Sequence, residues 1–262
     1  MEPLISTQIL ESRRVTPVEI ALIGQGSFQA SPEAIPSLRK APDPSGSISV
    51  HPSLLRHADE QTVVGLAAVF QAIHESSLDP QGFGGWSILA APRYFGRAAF
   101  ERAFPTFQGE GAWGVSPHLI PAHSLHSASG TISQALVAHG PNLGVGGTPG
   151  GDLEALLFAS TLIEAGSTAG VWVVLTGRET ERDGLTPAGE YQALALALTR
   201  MTPGRSTARL QVAPGLVRGI GLAEAPGLAI SRWLSPETLR LDAGHSEGAI
   251  PRPHSRPIRG EI

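Results

Sequence analysis

The segment from His139 to Ser160 (HGPNLGVGGTPGGDLEALLFAS) has the pattern of a strand, a glycine-rich turn and a helix. Enzymes often mount a nucleophile at such an elbow, because the positive end of the helix dipole lowers the pKa of a side chain placed there. The candidate elbow consists of Gly147, Thr148, Pro149, Gly150, Gly151 and Asp152. Proline and glycine at its centre carry no reactive group, so the elbow is predicted to have lost a catalytic role.

The same residues also explain a plain helix start. The hydroxyl of Thr148 can accept a hydrogen bond from a free backbone N–H of the first turn. Proline suits the first helical position, where Pro149 would stand, since its missing N–H is no loss there. The negative charge of Asp152 is favoured by the helix dipole. On local evidence alone, this segment is a well-capped helix.

Composition excludes several classes of protein. The chain has 262 residues, 41% of them hydrophobic, and a net charge of −4, which disfavours nucleic-acid binding. It contains no cysteine, which rules out disulfides, thiolate metal sites and a cysteine nucleophile in this chain. There is no run of about 18 apolar residues to span a membrane and no signal-peptide pattern. We therefore expect a cytoplasmic protein without a metal or other cofactor.

Apolar runs and helical periodicity alternate along the chain, which is typical of an α/β fold. Strands are predicted at 18–24, 86–91, 142–146, 171–176, 191–199 and 208–212, the last two more exposed and possibly antiparallel. Helices are predicted at 58–76, 97–104, 121–139 and 153–165, and a long loop at 25–50. We expect a mixed, mostly parallel sheet of about five strands with helices on both faces. Residues 1–213 would form the main domain and residues 214–262 a partly irregular extension.

One segment carries a family resemblance: SPHLIPAHSLHSASGTISQALVAHGPNLGVGGTPGG, from Ser116 to Gly151. It resembles the β-ketoacyl synthases of the thiolase-like superfamily. In that family a Ser-Pro or similar opening leads through a long helix to Gly-Pro, a short strand and then the active-site cysteine at the head of a buried helix. Counting on from Gly140-Pro141 places Pro149 at the position of that cysteine. The resemblance covers roughly Val18 to Val212 and implies the N-terminal-type half of a thiolase-like fold.

Two departures from the family pattern shape the functional expectation. The nucleophile is absent, and nothing after Val212 repeats the first half, where the family has a second half with catalytic histidines. The resemblance therefore implies a catalytically degenerate subunit without condensing activity of its own. Such a subunit would be a chain-length-factor-like or scaffolding partner of a ketosynthase in aryl-polyene, polyketide or fatty-acid-type biosynthesis.

The resemblance also implies an interaction surface, since two similar halves pack through their buried helices in this architecture. The exposed apolar stripe of a lone half would consist of Leu153, Leu156, Leu157 and Ile163. A ketosynthase subunit or a second copy of this chain would cover it. Arg252, Arg256 and Arg259 could meet an acidic acyl carrier protein.

Several alternatives remain open. The elbow amides could serve an acyl-thioester hydrolase or decarboxylase as an oxyanion site, or the loop at 25–50 could cover a small ligand. Residues 244–248 (GHSEG) match the G-x-S-x-G elbow of hydrolases, although no helix-forming pattern follows them. His118, His123 and His126 are close in sequence and suggest a metal site. His123 and His126 could lie on one face of a helix, but no third ligand stands at a recognisable metal-site spacing from them.

Overall fold

The computed structural model describes residues 16–43, 45–147, 150–178, 189–202, 208–220, 230, 233–234 and 238–241. The strands within these residues are β1 (Val18–Ala30), β2 (Trp86–Pro92), β3 (Asn142–Gly144), β4 (Gly170–Arg178), β5 (Tyr191–Arg200), β6 (Arg209–Ala213), β7 (Leu216–Ile220) and β8 (Leu239–Leu241). The α-helices are α1 (Ile35–Lys40), α2 (Glu60–Glu75), α3 (Arg97–Glu110), α4 (Leu119–Ala122), α5 (Leu125–Ala135) and α6 (Gly151–Glu164).

The described strands form one sheet in the order β3-β2-β4-β5-β1-β6-β7-β8. Strand β2 pairs in parallel with both β3 and β4, and β7 pairs in parallel with β8. The remaining neighbours, β4–β5, β5–β1, β1–β6 and β6–β7, are antiparallel. The mixed sheet of the α/β prediction is confirmed, but four of its seven strand pairings are antiparallel where a mostly parallel sheet was expected. The described residues contain eight strands where about five were expected.

The first strand is longer than predicted, because residues 25–30 continue β1 instead of opening a loop. Two features conceal this part of the strand in the sequence. The register against β5 shifts between Leu22 and Gly24, which is the signature of a bulge. Beyond the bulge, Gln25, Ser27 and Gln29 alternate with Gly26 and Phe28, so the apolar signal is weak.

Three other differences concern β5, α3 and the helix predicted at 121–139. Strand β5 was expected to be exposed, but it lies between β4 and β1 and is buried on both faces. The helix predicted at 121–139 is two helices, α4 and α5, because Ser124 adopts an extended backbone as the N-cap residue of α5. Helix α3 runs to Glu110, beyond its predicted end, with Pro105 inside it.

Helices cover both faces of the sheet, as predicted. Alternate residues of β4 show this: Trp172 and Val174 pack in the cluster that contains α2 and α5. Val173 and Leu175 pack in the opposite cluster, which contains α6. None of the helices in the described part of the chain has the length and apolarity needed to cross a membrane.

The region after residue 213 contributes to the same sheet and core. Strand β7 pairs with β6, and β8 pairs with β7. Ile230 and Leu234 are buried in the cluster that also contains Leu156 of α6. Ile230 and Leu234 of the predicted extension therefore pack in the same hydrophobic cluster as α6, the helix that begins at the elbow.

Candidate functional site

The glycine-rich elbow joins β3 to α6 and is fixed to the carboxyl end of β2. Val145 donates its backbone N–H to the carbonyl oxygen of Ala90 at 2.8 Å. The carbonyl oxygen of Gly147 accepts the backbone N–H of Tyr94, also at 2.8 Å. The predicted strand–turn–helix layout is therefore present in the structure, although Thr148 and Pro149 lie outside the described residues.

Close backbone contact explains why glycine stands on both sides of the turn. A Cβ atom on Gly146 would lie 2.6 Å from the Cα atom of Gly151, and a Cβ on Gly151 would lie 2.8 Å from the Cα of Gly146. Gly146 also has a φ of 77°, in the left-handed region that side chains disfavour. The elbow can close this tightly only while both positions lack a side chain.

Asp152, in the first turn of α6, is the buried charged group of this site. Its side chain is 2% exposed and forms an ion pair with Nη2 of Arg93, the residue that follows β2. Burial raises the pKa of Asp152, and the charge and hydrogen bond of Arg93 oppose that rise. The helix-dipole role predicted for Asp152 is therefore joined by a side-chain partner that is distant in sequence.

Arg93 connects the elbow to three further parts of the fold. Its backbone N–H donates to the carbonyl oxygen of Thr176 at 2.8 Å, and its own carbonyl oxygen accepts Nε2–H of Gln61 at 2.9 Å. The guanidinium donates to the carbonyl oxygen of Trp233 at 2.7 Å and lies over the indole ring, 4.7 Å from its centroid. The side chain thus ties the end of β2 both to α6 and to the C-terminal region.

This arrangement limits the chemistry that the elbow can perform. Acyl transfer through a covalent intermediate needs a nucleophile with a base in reach. Gly150 and Gly151 carry no side-chain nucleophile, and the buried carboxylate of Asp152 is already paired with Arg93. The negative charge of that carboxylate also lies at the helix end where an oxyanion would have to bind.

The apolar stripe predicted on α6 is distributed differently from the expectation. Leu156 and Ile163 are 0% and 3% exposed, because they pack against the sheet of this same chain. Leu153 and Leu157 are partly buried beside them. The large apolar side chain that α6 presents to solvent is Phe158, which is 52% exposed.

The histidines in the 118–126 region have other contacts. Nδ1 of His123 lies 2.8 Å from the carbonyl oxygen of Leu119, and its Nε2 lies 3.6 Å from Oδ2 of Asp59. The ring of His118 stacks on that of His57 with centroids 4.3 Å apart. Among the described residues, no group of three His, Asp or Glu side chains is placed to hold a metal ion. The GHSEG motif and the three arginines near the C-terminus lie outside the described residues.

Sequence reasoning missed Arg93 and Trp233. One signal could have indicated Arg93, since a charged residue directly after a buried strand lies at the carboxyl edge of the sheet, where sites of α/β proteins form. Trp233 has no such signal, because its contact with Arg93 joins positions far apart along the chain.

The sheet, its two helical layers and the elbow at the head of α6 define the fold as the thiolase-like fold of the ketosynthases. No protein-family profile matches the sequence, and no curated protein matches it. The fold is shared with solved structures.

One such structure is a type II polyketide synthase acyl carrier protein in complex with its ketosynthase, AntDE:AntF. It has a TM-score of 0.57 and 17% identity, covering 74% of this chain and 68% of that one. The ishigamide ketosynthase/chain length factor has a TM-score of 0.52 and 14% identity, covering 74% of this chain and 64% of that one. A ketosynthase in complex with its chain length factor from Xenorhabdus doucetiae has a TM-score of 0.50 and 13% identity, with coverages of 70% and 80%. Identities of this size establish a shared fold alone.

Proposed function

We propose that this chain is a non-condensing, ketosynthase-like subunit that acts as the partner of a ketosynthase, in the manner of a chain length factor. The observation that carries the proposal is the head of α6. The elbow keeps a tight glycine turn, while the chain contains no cysteine and the first helical turn holds Gly151 and Asp152. A thiolate-dependent condensation has no nucleophile in this chain.

The ion pair at Asp152 supports a structural use of the elbow. A buried carboxylate needs a partner, and Arg93 supplies one together with a link to Trp233. The same contacts weaken the case for a thioester hydrolase or decarboxylase, since the buried acidic side chain in the first turn of α6, Asp152, is engaged by Arg93. The elbow therefore suits a rigid support better than a reaction centre.

The face formed by α3 and the following turn is the surface that we assign to the partner. Phe104 and Phe107 of α3 are 61% and 52% exposed, and Trp113 is fully exposed. Phe100 is also exposed on the same helix. Clusters of exposed aromatic side chains mark protein interaction sites, where aromatic residues are enriched.

The proposal places the chain in polyketide, aryl-polyene or fatty-acid-type biosynthesis, close to an acyl carrier protein. Two of the matched structures are named as ketosynthases with chain length factors, and another contains an acyl carrier protein. A pair of subunits that share one fold, of which one carries the nucleophile, would explain why this chain keeps the fold without the cysteine.

The test is affinity purification of the tagged full chain from its own host, with mass spectrometry of the eluate. We expect a cysteine-containing ketosynthase in near-equimolar amount. The double variant Phe104→Asp/Phe107→Asp should lose this subunit. Val137→Asp is the matched control, because Val137 is 64% exposed but lies after α5.

Two results would overturn the proposal. One is a pure chain that forms or hydrolyses acyl thioesters without another subunit. The other is an eluate without a ketosynthase, or one in which the control variant loses the ketosynthase as completely as the double variant does.

A further inference from the structure

A cavity of about 420 Å³ lies among α1, the N-terminal end of α2, α3 and α4. None of the elbow residues lines it, so it is separate from the site at α6. Its lining is rich in cationic and titratable side chains, namely Arg39, Arg56, Arg102, His57, His123 and Glu60.

Arg39 supplies a positive charge that is held in place. Its Nη1 donates to the carbonyl oxygens of Leu55 and Ala58, the first at 2.8 Å. Its Nη2 lies 3.8 Å from Oε1 of Glu60. The side chain is therefore fixed at the cavity wall before any ligand arrives, which reduces the conformational entropy lost on binding.

Arg56 and Arg102 supply two charges that remain available. Neither side chain forms a hydrogen bond or salt bridge to another residue in the described part of the chain, and both residues are exposed. They line the cavity from two different elements, Arg56 from the loop before α2 and Arg102 from α3. Three guanidinium groups thus converge in a chain whose net charge is −4.

The effect of this positive environment is seen at His57. The pKa of His57 is lowered by desolvation, then by the neighbouring His118 and by the charges of Arg56 and Arg39. An anion in the cavity would relieve this repulsion. The cavity is therefore electrostatically unfavourable to cations and favourable to anions.

We propose that this cavity binds a small organic phosphate, a phosphate monoester. Three arginines and one carboxylate, Glu60, line the cavity, and the carboxylates of Asp59 and Glu110 lie close to its lining residues His123 and Gly114. The three terminal oxygens of a phosphate monoester can accept hydrogen bonds from all three guanidinium groups, whereas a carboxylate ligand offers two oxygens. Guanidinium groups bind phosphate oxygens in paired, charge-assisted hydrogen bonds. Ala99, Ala103 and Leu119 line the same cavity and provide apolar contact for the organic part of the ligand.

The test is isothermal titration calorimetry of the full chain with phenyl phosphate at low ionic strength. We expect saturable binding to one site that Arg56→Gln and Arg102→Gln each weaken about tenfold or more, because each substitution removes charge-assisted hydrogen bonds to the phosphate. The matched control is Arg97→Gln, because Arg97 also belongs to α3 but does not line the cavity. It should change the affinity less than about twofold.

Benzoate is the matched ligand control, because it keeps the aromatic ring and carries one negative charge. Phenyl phosphate should bind more tightly than benzoate. Equal affinity for the two ligands, no saturable binding up to about 10 mM phenyl phosphate, or equal loss in Arg97→Gln and Arg102→Gln would each overturn the proposal. Unfolding midpoints of the variants show whether each one is folded, so a lost fold is distinguished from a lost site. The result is independent of whether a ketosynthase binds the chain.

Discussion

Replacing Arg93 by methionine should destabilise the fold more than any other single arginine substitution near the elbow. Arg93→Met keeps most of the apolar volume of the side chain and removes its charge. It leaves Asp152 buried without a partner and removes the hydrogen bond to the carbonyl oxygen of Trp233. The stacking of the guanidinium on the indole ring is lost as well.

The magnitude follows from burial. Removing one partner of a buried ion pair typically costs about 3–5 kcal/mol. Arg93 is 17% exposed and Asp152 2%, so the pair belongs to that class, and protonation of Asp152 relieves part of the loss. We expect about 3 kcal/mol, which corresponds to a fall of roughly 6–12 °C in the unfolding temperature of a protein of this size.

The destabilisation caused by Arg93→Met should depend on pH. Arg93 opposes the burial that raises the pKa of Asp152, so this pKa rises further in Arg93→Met. A carboxyl group with a raised pKa in the folded state stabilises the fold below its unfolded pKa, and this contribution is lost as the pH rises through the folded pKa. The stability gap between wild type and variant should therefore be wider at about pH 8 than at about pH 5.

Urea denaturation followed by circular dichroism measures this gap at both pH values. Arg97→Met is the control, because Arg97 is 37% exposed and its ion pair with Glu101 lies at the surface. It should cost less than about 1 kcal/mol. In the double variant Arg93→Met/Asp152→Asn, at least about 1 kcal/mol should be recovered at the higher pH, since the buried charge is gone. The reasoning is refuted if Arg93→Met is no more harmful than Arg97→Met, or if the double variant recovers nothing.

Two further predictions concern the elbow and the start of α2. Gly151→Ala should lower the free energy of unfolding by about 2 kcal/mol or more, because the new Cβ would lie 2.8 Å from the Cα of Gly146. The control is Gly109→Ala, which should be neutral or slightly stabilising because no atom lies within 4 Å of the added Cβ. Equal urea midpoints for the two variants would contradict the close contact between Gly146 and Gly151. Burial and then the charge of Glu60 raise the pKa of Asp59 to about 6, so stability contributed by its protonated form is lost as the pH rises from about 4 to about 6. Asp59→Asn keeps an acceptor for the backbone N–H of Gln61 and should reduce this pH slope in denaturation curves, whereas an unchanged slope would exclude Asp59 as its source.

The elements that the sequence predicts well are those with one dominant local signal. Strands β2 and β4 are continuous apolar runs, and α2 has regular helical spacing of apolar residues, so all three appear within a few residues of their predicted bounds. The second part of β1 was missed because a bulge and alternating glutamines conceal the pattern. The central place of β5 depends on pairing with two distant strands, which local periodicity does not report.

The site shows the same division between local and distant information. The glycine elbow follows from neighbouring residues and was predicted. The start of the helix was predicted wrongly, because α6 begins at Gly151 with Gly150 as its N-cap residue, where Thr148 was expected as the cap and Pro149 as the first helical residue. The ion pair between Arg93 and Asp152 depends on how β2 and α6 meet in space. The burial of Leu156 and Ile163 was predicted, but the surface that covers them was not. An apolar stripe indicates burial without indicating whether the same chain or another chain covers it.

The bond between Arg93 and Trp233 has a consequence for the order of synthesis. A chain leaves the ribosome from its N-terminus, and its domains can begin to fold before translation ends. Arg93 and Asp152 emerge early, but the carbonyl group and indole ring that complete their environment belong to a residue translated much later. Until Trp233 has emerged, Arg93 lacks the hydrogen-bond acceptor and the aromatic ring that complete its surroundings in the finished fold.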